Sequence, residues 1–228
     1  MKTTTAILGL VATAGTALAT TTVSHYDDLT ESFLGTGFTY DGVNYRDCNG
    51  VGGVFPDGST FNSGDVGNNF IIENATLLYN DFPAWGSPSN ALTFGTSYVV
   101  GNNLSLGAFV TAWMDLPQAA NSIDMQMAFY ENGPWGGIEF HLDAYRNGNL
   151  VGSNSFTLSD HGGRDNIAFN TLGVAGVEFD SCHLYASYNG QYSAPRLLVD
   201  DLTISYVPAP TTLAGFAGLA CLGLRRRR

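Results

Sequence analysis

From Leu197 to Tyr206 apolar and polar residues alternate, and one carboxylate falls among the apolar ones. Leu198, Asp200, Leu202, Ile204 and Tyr206 share one face of a strand, and Leu197, Val199, Asp201, Thr203 and Ser205 share the other. If Leu202, Ile204 and Tyr206 face a core, Asp200 faces it too. A carboxylate buried there must be protonated, paired or bound to a cation, because desolvating it alone is costly. Between Asp27 and Asp201 the chain holds all 20 acidic residues against four arginines and no lysine, a net of −16. Cationic side chains are scarce, so the chemistry expected at Asp200 is ligation of Ca²⁺, which takes several oxygens. The competing reading is a strand-end aspartate bonded to backbone amides or to Arg196. Asp57, Asn62 and Asp65 lie in a Gly-rich stretch, but their spacing departs from the EF-hand frame, and they read as a solvated acidic loop.

Aromatic residues offer a second chemistry. A sugar ring has an apolar face that stacks on Trp or Tyr, and Asp, Asn and Gln side chains bond its hydroxyls. Trp85 sits in Phe82-Pro83-Ala84-Trp85-Gly86-Ser87-Pro88, and Trp135 in Asn132-Gly133-Pro134-Trp135-Gly136-Gly137. Tyr188 and Tyr192 flank Gln191 in a late loop. Trp85, Trp135, Tyr188 and Tyr192 are therefore the candidate ligand-binding set, with extracellular polysaccharide as the partner. The alternative is that each loop tryptophan folds over the sandwich edge as a lid. Trp113 ends a strand and reads as core.

Catalytic signatures are missing from the sequence. There is no G-x-S-x-G, no H-E-x-x-H and no glycine-rich loop opening a helix. His141 shares a polar strand face with Glu139 and Asp143. Glu139 and Glu178 are the nearest thing to a glycosidase pair, yet such pairs arise by chance among 20 acidic residues. A non-catalytic protein is expected. The net charge of −11 for the whole chain argues against nucleic acid.

Both chain ends read as addresses. Lys2 precedes an apolar stretch from Ala6 to Leu18, and Ala17-Leu18-Ala19 forms an A-x-A site, so a signal peptide over residues 1–19 is expected. At the other end Val207-Pro208-Ala209-Pro210 precedes a 12-residue apolar run, Leu213 to Leu224, and then Arg225, Arg226, Arg227 and Arg228. As a helix that run spans about 18 Å, short of a hydrocarbon core of roughly 30 Å. The order of these parts resembles the PEP-CTERM sorting signal in its V-P-A-P variant. The resemblance implies an exosortase-type processing partner, export to the cell surface or matrix of a Gram-negative-type bacterium, and transient membrane contact through residues 207–228. Without the tail and its Cys221, two cysteines remain, Cys48 and Cys182. They form a disulfide across a long loop or stay as two separate buried thiols.

The elements that must position these residues are strands. Period-two alternation marks Ser122 to Phe129, Ile138 to Tyr145, Val174 to Phe179, Cys182 to Tyr188 and Leu197 to Tyr206. Asn147-Gly148 predicts a hairpin turn, with Leu150 to Leu158 returning. Further strands are expected over Val23 to Asp27, Phe70 to Tyr79, Tyr98 to Val100 and Leu104 to Trp113, with a long loop from Cys48 to Gly67. The expected fold is all-β, an antiparallel sandwich over residues 20–206, with a signal helix before it and a short apolar helix after it. Tyr26-Asp27-Asp28-Leu29, Ala144 to Ser153, Phe169 to Val177 and Leu198 to Ile204 are similar to segments of jelly-roll domains, galactose-binding-like and carbohydrate-binding modules among them. That resemblance implies a jelly-roll-like order with the first and last strands side by side, and makes Asp27 the second carboxylate of the Ca²⁺ site.

Overall fold

Three dipeptides turn the chain sharply back on itself. Asp41-Gly42, Asn147-Gly148 and Asn189-Gly190 have φ values of 48° and 81°, 51° and 78°, and 49° and 74°. Positive φ at both central positions is what a two-residue hairpin with the right-handed twist of its strands requires, and Asn, Asp and Gly tolerate it best. The computed structural model describes residues 19–49, 51–62, 69–95, 99–100, 103–104, 110–129, 132–133, 136–158, 161–162, 168–195 and 197–208. Ala17 and the rest of the signal stretch before residue 19, Trp135, Arg196, and the tail from Ala209 to Arg228 lie outside the described residues. One compact unit runs from Thr21 to Val207.

The strands are β1 (Thr21–Ser24), β2 (Ser32–Gly35), β3 (Phe38–Tyr40), β4 (Val43–Asn49), β5 (Gly53–Val54), β6 (Thr60–Phe61), β7 (Phe70–Asn74), β8 (Asn90–Phe94), β9 (Val99–Val100), β10 (Asn103–Leu104), β11 (Thr111–Phe129), β12 (Asn132–Gly133), β13 (Glu139–Arg146), β14 (Asn149–Thr157), β15 (His161–Gly162), β16 (Ala168–Tyr188), β17 (Gln191–Tyr192) and β18 (Leu197–Tyr206). Among the described residues one short helix, α1 (Thr76–Asp81), interrupts them. The main sheet runs β14-β13-β16-β11-β18-β8-β7-β2. In addition, β1 lies on β18, β17 on β16, and the β3–β4 hairpin on β11. All these pairings are antiparallel, and the chain is mostly β, arranged in a sandwich-like sheet.

Two long strands do most of the positioning. Thr111 to Asp115 of β11 pair with β4 on one side and with Ser181 to Tyr185 of β16 on the other. Ala120 to Phe129 pair with β18 and with the first half of β16. Register breaks between Asp115 and Ala120. Pro117 lies in that interval, and with no N–H to donate it cannot continue a ladder, so the strand changes partners there. The same two strands thereby serve both halves of the sheet. Enclosed between them are Phe70, Phe94, Met125, Phe129, Phe140, Leu142, Phe179, Leu184, Leu202 and Ile204, each buried.

Several expectations change. The segments read as separate strands at 104–113 and 122–129 contribute to one strand starting at Thr111. Those at 174–179 and 182–188 likewise join in β16. The strand expected over Phe70 to Tyr79 stops at Asn74, whose Oδ1 accepts the Thr76 N–H at 2.9 Å and starts α1 instead. The Cys48 to Gly67 stretch contains the β5–β6 pair. Cys48 and Cys182 are free, buried thiols. Between their strands runs β11, with Met114 opposite both Cys182 and Tyr45. Two strand spacings of about 4.8 Å exceed the roughly 7 Å limit for a disulfide. The disulfide reading is therefore corrected to two separate thiols.

Candidate functional site

Alternation along β13 and β16 decides what reaches the outer surface of the sheet. Phe140, Leu142 and Ala144 point into the core, as do Cys182, Leu184 and Ala186. Glu139, His141, Asp143 and Tyr145, with His183, Tyr185 and Ser187, are left on the outside. The register brings them into rows across strands. Asp143 pairs with His183, His183 with Trp113, and Trp113 with Arg46, while His141 pairs with Tyr185.

The rings of these rows form a continuous stack. His141 and Tyr185 lie 4.4 Å apart at 11°, Tyr185 and His183 4.7 Å at 24°, and His183 and Trp113 4.6 Å at 10°. Tyr145 closes on Trp113 at 4.9 Å, and the Arg46 guanidinium sits 5.3 Å from the indole centroid. Arg46 is itself clamped by both oxygens of Asp115, at 2.5 and 3.0 Å. His141 Nε2 and the Ser187 hydroxyl share a 2.8 Å bond, and His183 Nε2 is bonded to the Thr111 hydroxyl. Burial pushes the His183 imidazole below its ordinary value, against the pull of Asp143, so it is neutral at pH 7. The Tyr185 phenol is pushed up to about 12, first by desolvation and then by Asp143, which accepts its hydroxyl. It stays a donor at every physiological pH.

Beside this stack the sheet surface is walled by the β16–β17 hairpin. Tyr192 stands nearly perpendicular to Tyr185, 82° at 6.2 Å. Together with Gly52, Gly190 and Gln191 it turns the surface into a groove of about 530 Å³. Asp143, Tyr145, His183, Tyr185 and Ser187 form its base. Neighbouring rings cover each other's faces within the stack. The base therefore presents ring edges with polar atoms, and Tyr192 stands across it as a wall. Such a surface offers closely spaced hydrogen-bonding groups flanked by aromatic carbon, a pattern suited to polyhydroxylated rings.

The expected site residues are placed in different surroundings. Tyr192 lines the groove. Tyr188, on the other parity of β16, packs against the core. Trp85 is 5% exposed and stacks on Tyr79 at 5.1 Å and 16°, which covers one indole face. Trp113 is not core but half-buried on the outer surface. The period-two pattern that exposes His183 and Tyr185 between Cys182, Leu184 and Ala186 was the signal for the missed residues. Glu139 and Glu178 do not form a pair. Glu178 meets Arg146 at the far end of β13, seven strand residues or roughly 23 Å of backbone from Glu139.

The carboxylate pair is held by one loop. Asp200 is fully buried, and its Oδ2 accepts the Tyr79 hydroxyl at 2.8 Å and the Ser87 N–H at 2.7 Å. Burial raises its carboxyl to about 7 in spite of these donors. Its Oδ1 is buried without a partner. Asp27 Oδ1 accepts the Asn90 N–H at 3.0 Å, and β1 does lie beside β18, with Ser24 opposite Leu202. Among the described residues no three His, Cys, Asp or Glu side chains converge as a metal cluster. Any cation here would draw the rest of its shell from carbonyl oxygens and water. Close by, a serine, a histidine and an aspartate meet, but His25 Nδ1 bonds both Asp201 at 2.6 Å and Ser87 Oγ at 3.1 Å. A proton relay needs the two partners on different ring nitrogens.

No family model and no curated protein matches the chain. Solved structures similar to it include the K2 cleaved adhesin domain of Lys-gingipain, at 12% identity and a TM-score of 0.44, covering 82% of this chain and 98% of that one. The K1 cleaved adhesin domain of Lys-gingipain from Porphyromonas gingivalis W83 aligns at 11% identity and a TM-score of 0.40, covering 82% and 99%. A carbohydrate-binding module specific for non-crystalline cellulose aligns at 12% identity and a TM-score of 0.36, covering 60% and 82%.

Proposed function

We propose that this chain is an exported, non-catalytic surface or matrix protein of jelly-roll-like topology whose aromatic groove binds extracellular polysaccharide. The observation that carries this reading is the groove itself, a polar stack of rings with Tyr192 as an upright wall. A pyranose ring rests its apolar face on Tyr192. Its hydroxyls meet Asp143, Gln191 and the ring edges of Tyr185 and His183. The apolar N-terminal stretch and the Arg-tipped tail support export and exosortase processing near Pro208 to Pro210. The full chain is tested by affinity electrophoresis through gels containing a neutral glucan. Retardation is expected, and Tyr192→Ala or Asp143→Asn is expected to weaken it at least tenfold. Equal retardation of both variants and the parent overturns the reading.

A second reading concerns structure rather than binding. The unpartnered Oδ1 of Asp200 supports a Ca²⁺ ion at that carboxylate, with Asp27 as the second acidic contributor. Calcium should raise the melting temperature above pH 7 and do little near pH 5, where the proton occupies the site. A melting temperature indifferent to calcium at both pH values removes it.

A further inference from the structure

Two long strand segments end the sheet on one flank. Among the described residues β14 pairs with β13 alone, and residues 168–179 of β16 pair with β11 alone. An open edge offers a row of N–H and C=O groups to any other strand, and proteins blunt it with charge, proline, bulges or short length. The edge strands β1, β2, β3 and β17 are two to four residues long. By contrast β14 runs nine residues, Asn149–Thr157. Its register shifts once, at Val151 near the turn, and is unbroken from Gly152 to Thr157. Neither β14 nor residues 168–177 of β16 contain a charged residue or a proline. Leu150, Val151 and Phe169 on these segments are 56%, 37% and 39% exposed. The segments lie side by side, since a Cβ on Gly152 would sit 2.9 Å from Val174 and 3.0 Å from Val177. Asn154 Nδ2 donates to the Gly173 carbonyl at 2.8 Å and so closes the β16 edge there, leaving β14 as the open one.

We infer that β14 pairs antiparallel with β14 of a second copy of this chain, about a two-fold axis at Ser155. Charge selects this occupant and this edge. Two copies that each carry a net of −16 between Asp27 and Asp201 repel one another over most of their surface. They meet at least cost along a strand without a carboxylate, and a two-fold pairing makes that strand its own complement. Backbone direction agrees. The Ser155 N–H is met by Asn154 Oδ1 at 2.9 Å, so it is turned away from β13 toward the open side. Two strands centred there exchange both backbone bonds at Ser155, and the Asn154 amide gives way to the carbonyl of the second copy. Ser153 then faces Thr157 of the second copy, a hydroxyl pair of the kind that stabilises paired strands. One sheet continues through the dimer in the order β16-β13-β14-β14-β13-β16. Asp143 and Ser153 share its outer face, so the two grooves open on one side, five strand spacings or about 24 Å apart. Their joint grip on a polymer rests on the binding role proposed above, whereas the pairing itself does not.

The test is sedimentation velocity on the full chain at rising concentration, at low and at moderate salt. A dimer is expected, and it should tighten with salt as the like charges are screened. Ser155→Lys sets two ammonium groups face to face across the axis and should weaken association at least tenfold, although it lowers the net negative charge. Ser155→Thr, uncharged and strand-forming, should keep the dimer. Circular dichroism of each variant checks that the fold stands. Ser155→Cys combined with Cys221→Ser should form a disulfide-linked dimer on mild oxidation, because residues paired at the axis lie about 5.5 Å apart. Cys221→Ser alone should not. A monomer at every concentration and salt overturns the inference. So does a dimer equally stable in Ser155→Lys, which places the contact at the chain ends or another face, and so does a Ser155→Cys protein that fails to cross-link. Tyr192→Ala, which disables the groove, should leave the dimer intact, so loss of glucan retention and loss of pairing are read separately.

Discussion

At the scale of single residues, Asp200 ties electrostatics to stability. Its carboxyl is raised in the folded chain to about 7 from an ordinary value near 4. The folded state therefore holds a proton that the unfolded state has released between those two values. The stabilisation is complete below about pH 4, is lost as pH rises to about 7, and stays lost above it. The full effect is on the order of 4 kcal/mol. Asp200→Asn keeps the shape without the titration, so its melting temperature should fall less from pH 4 to pH 7 than the parent's. Parallel melting curves for the two proteins across that range would sink this account. Asp200 is buried, but not on the face that parity predicted: register breaks beside Asp201, whose φ is 47°, so Leu197 and Val199 join Leu202 and Ile204 in the main core while Leu198 and Asp200 lie under Tyr79 and Ser87 on the other face. The donors to Asp200, Tyr79 and Ser87, are more than 110 residues away in the chain and carry no sequence mark of that role.

At the scale of elements, turns and alternation were readable and long-range partnership was not. Asn147-Gly148 announced the β13–β14 hairpin, and its return strand runs from Asn149 to Thr157. Asp41-Gly42 carries the same chemistry between two alternating runs, Phe38-Thr39-Tyr40 and Val43-Asn44-Tyr45-Arg46, so the β3–β4 hairpin was equally legible although it is not among the expected strands. The groove draws on β13, β16 and β17, and the ring stack beside it also on β4 and β11. Its rows exist only once the register of those strands is set, which local pattern does not determine. One glycine packed behind its wall is required by space. A Cβ on Gly53 would lie 2.0 Å from the Tyr192 carbonyl oxygen and 2.7 Å from the Phe61 ring. Gly53→Ala should push the β5–β6 pair off the hairpin, costing about 1–3 kcal/mol by urea unfolding and weakening glucan retention together with stability. A second backbone contact is tighter still, since a Cβ at Gly95 would meet the Pro195 carbonyl oxygen at 1.4 Å, at a φ of 90°. Gly95→Ala is expected to lower stability by more than Gly53→Ala in the same titration.

At the scale of the whole molecule, charge governs which polymers can approach. With 20 carboxylates against four arginines between Asp27 and Asp201, the protein repels polyanions over roughly a Debye length, about 10 Å at 0.1 M salt. Retention by a neutral glucan should hardly change between low and moderate salt, whereas retention by a polyuronate should appear only as salt rises. Affinity gels run at two ionic strengths check this, and a polyuronate bound best at low salt contradicts it. Net charge was fully legible in the composition, while the groove was not. The pairing of Thr21 with Ser205 has a consequence of its own. The folded body starts and finishes at one point, so any tether at either end attaches there. Pulled by both ends, β1 and β18 separate one pair at a time, as a zipper does, with each bond bearing the load alone. Held by one end, the body would hang from a single point, and under the proposed binding role that point would set which way the groove faces a polymer. Joining 21 to 205 with a short linker and opening the chain at Asn147-Gly148 would move that joint to the rim of the sheet without altering the groove.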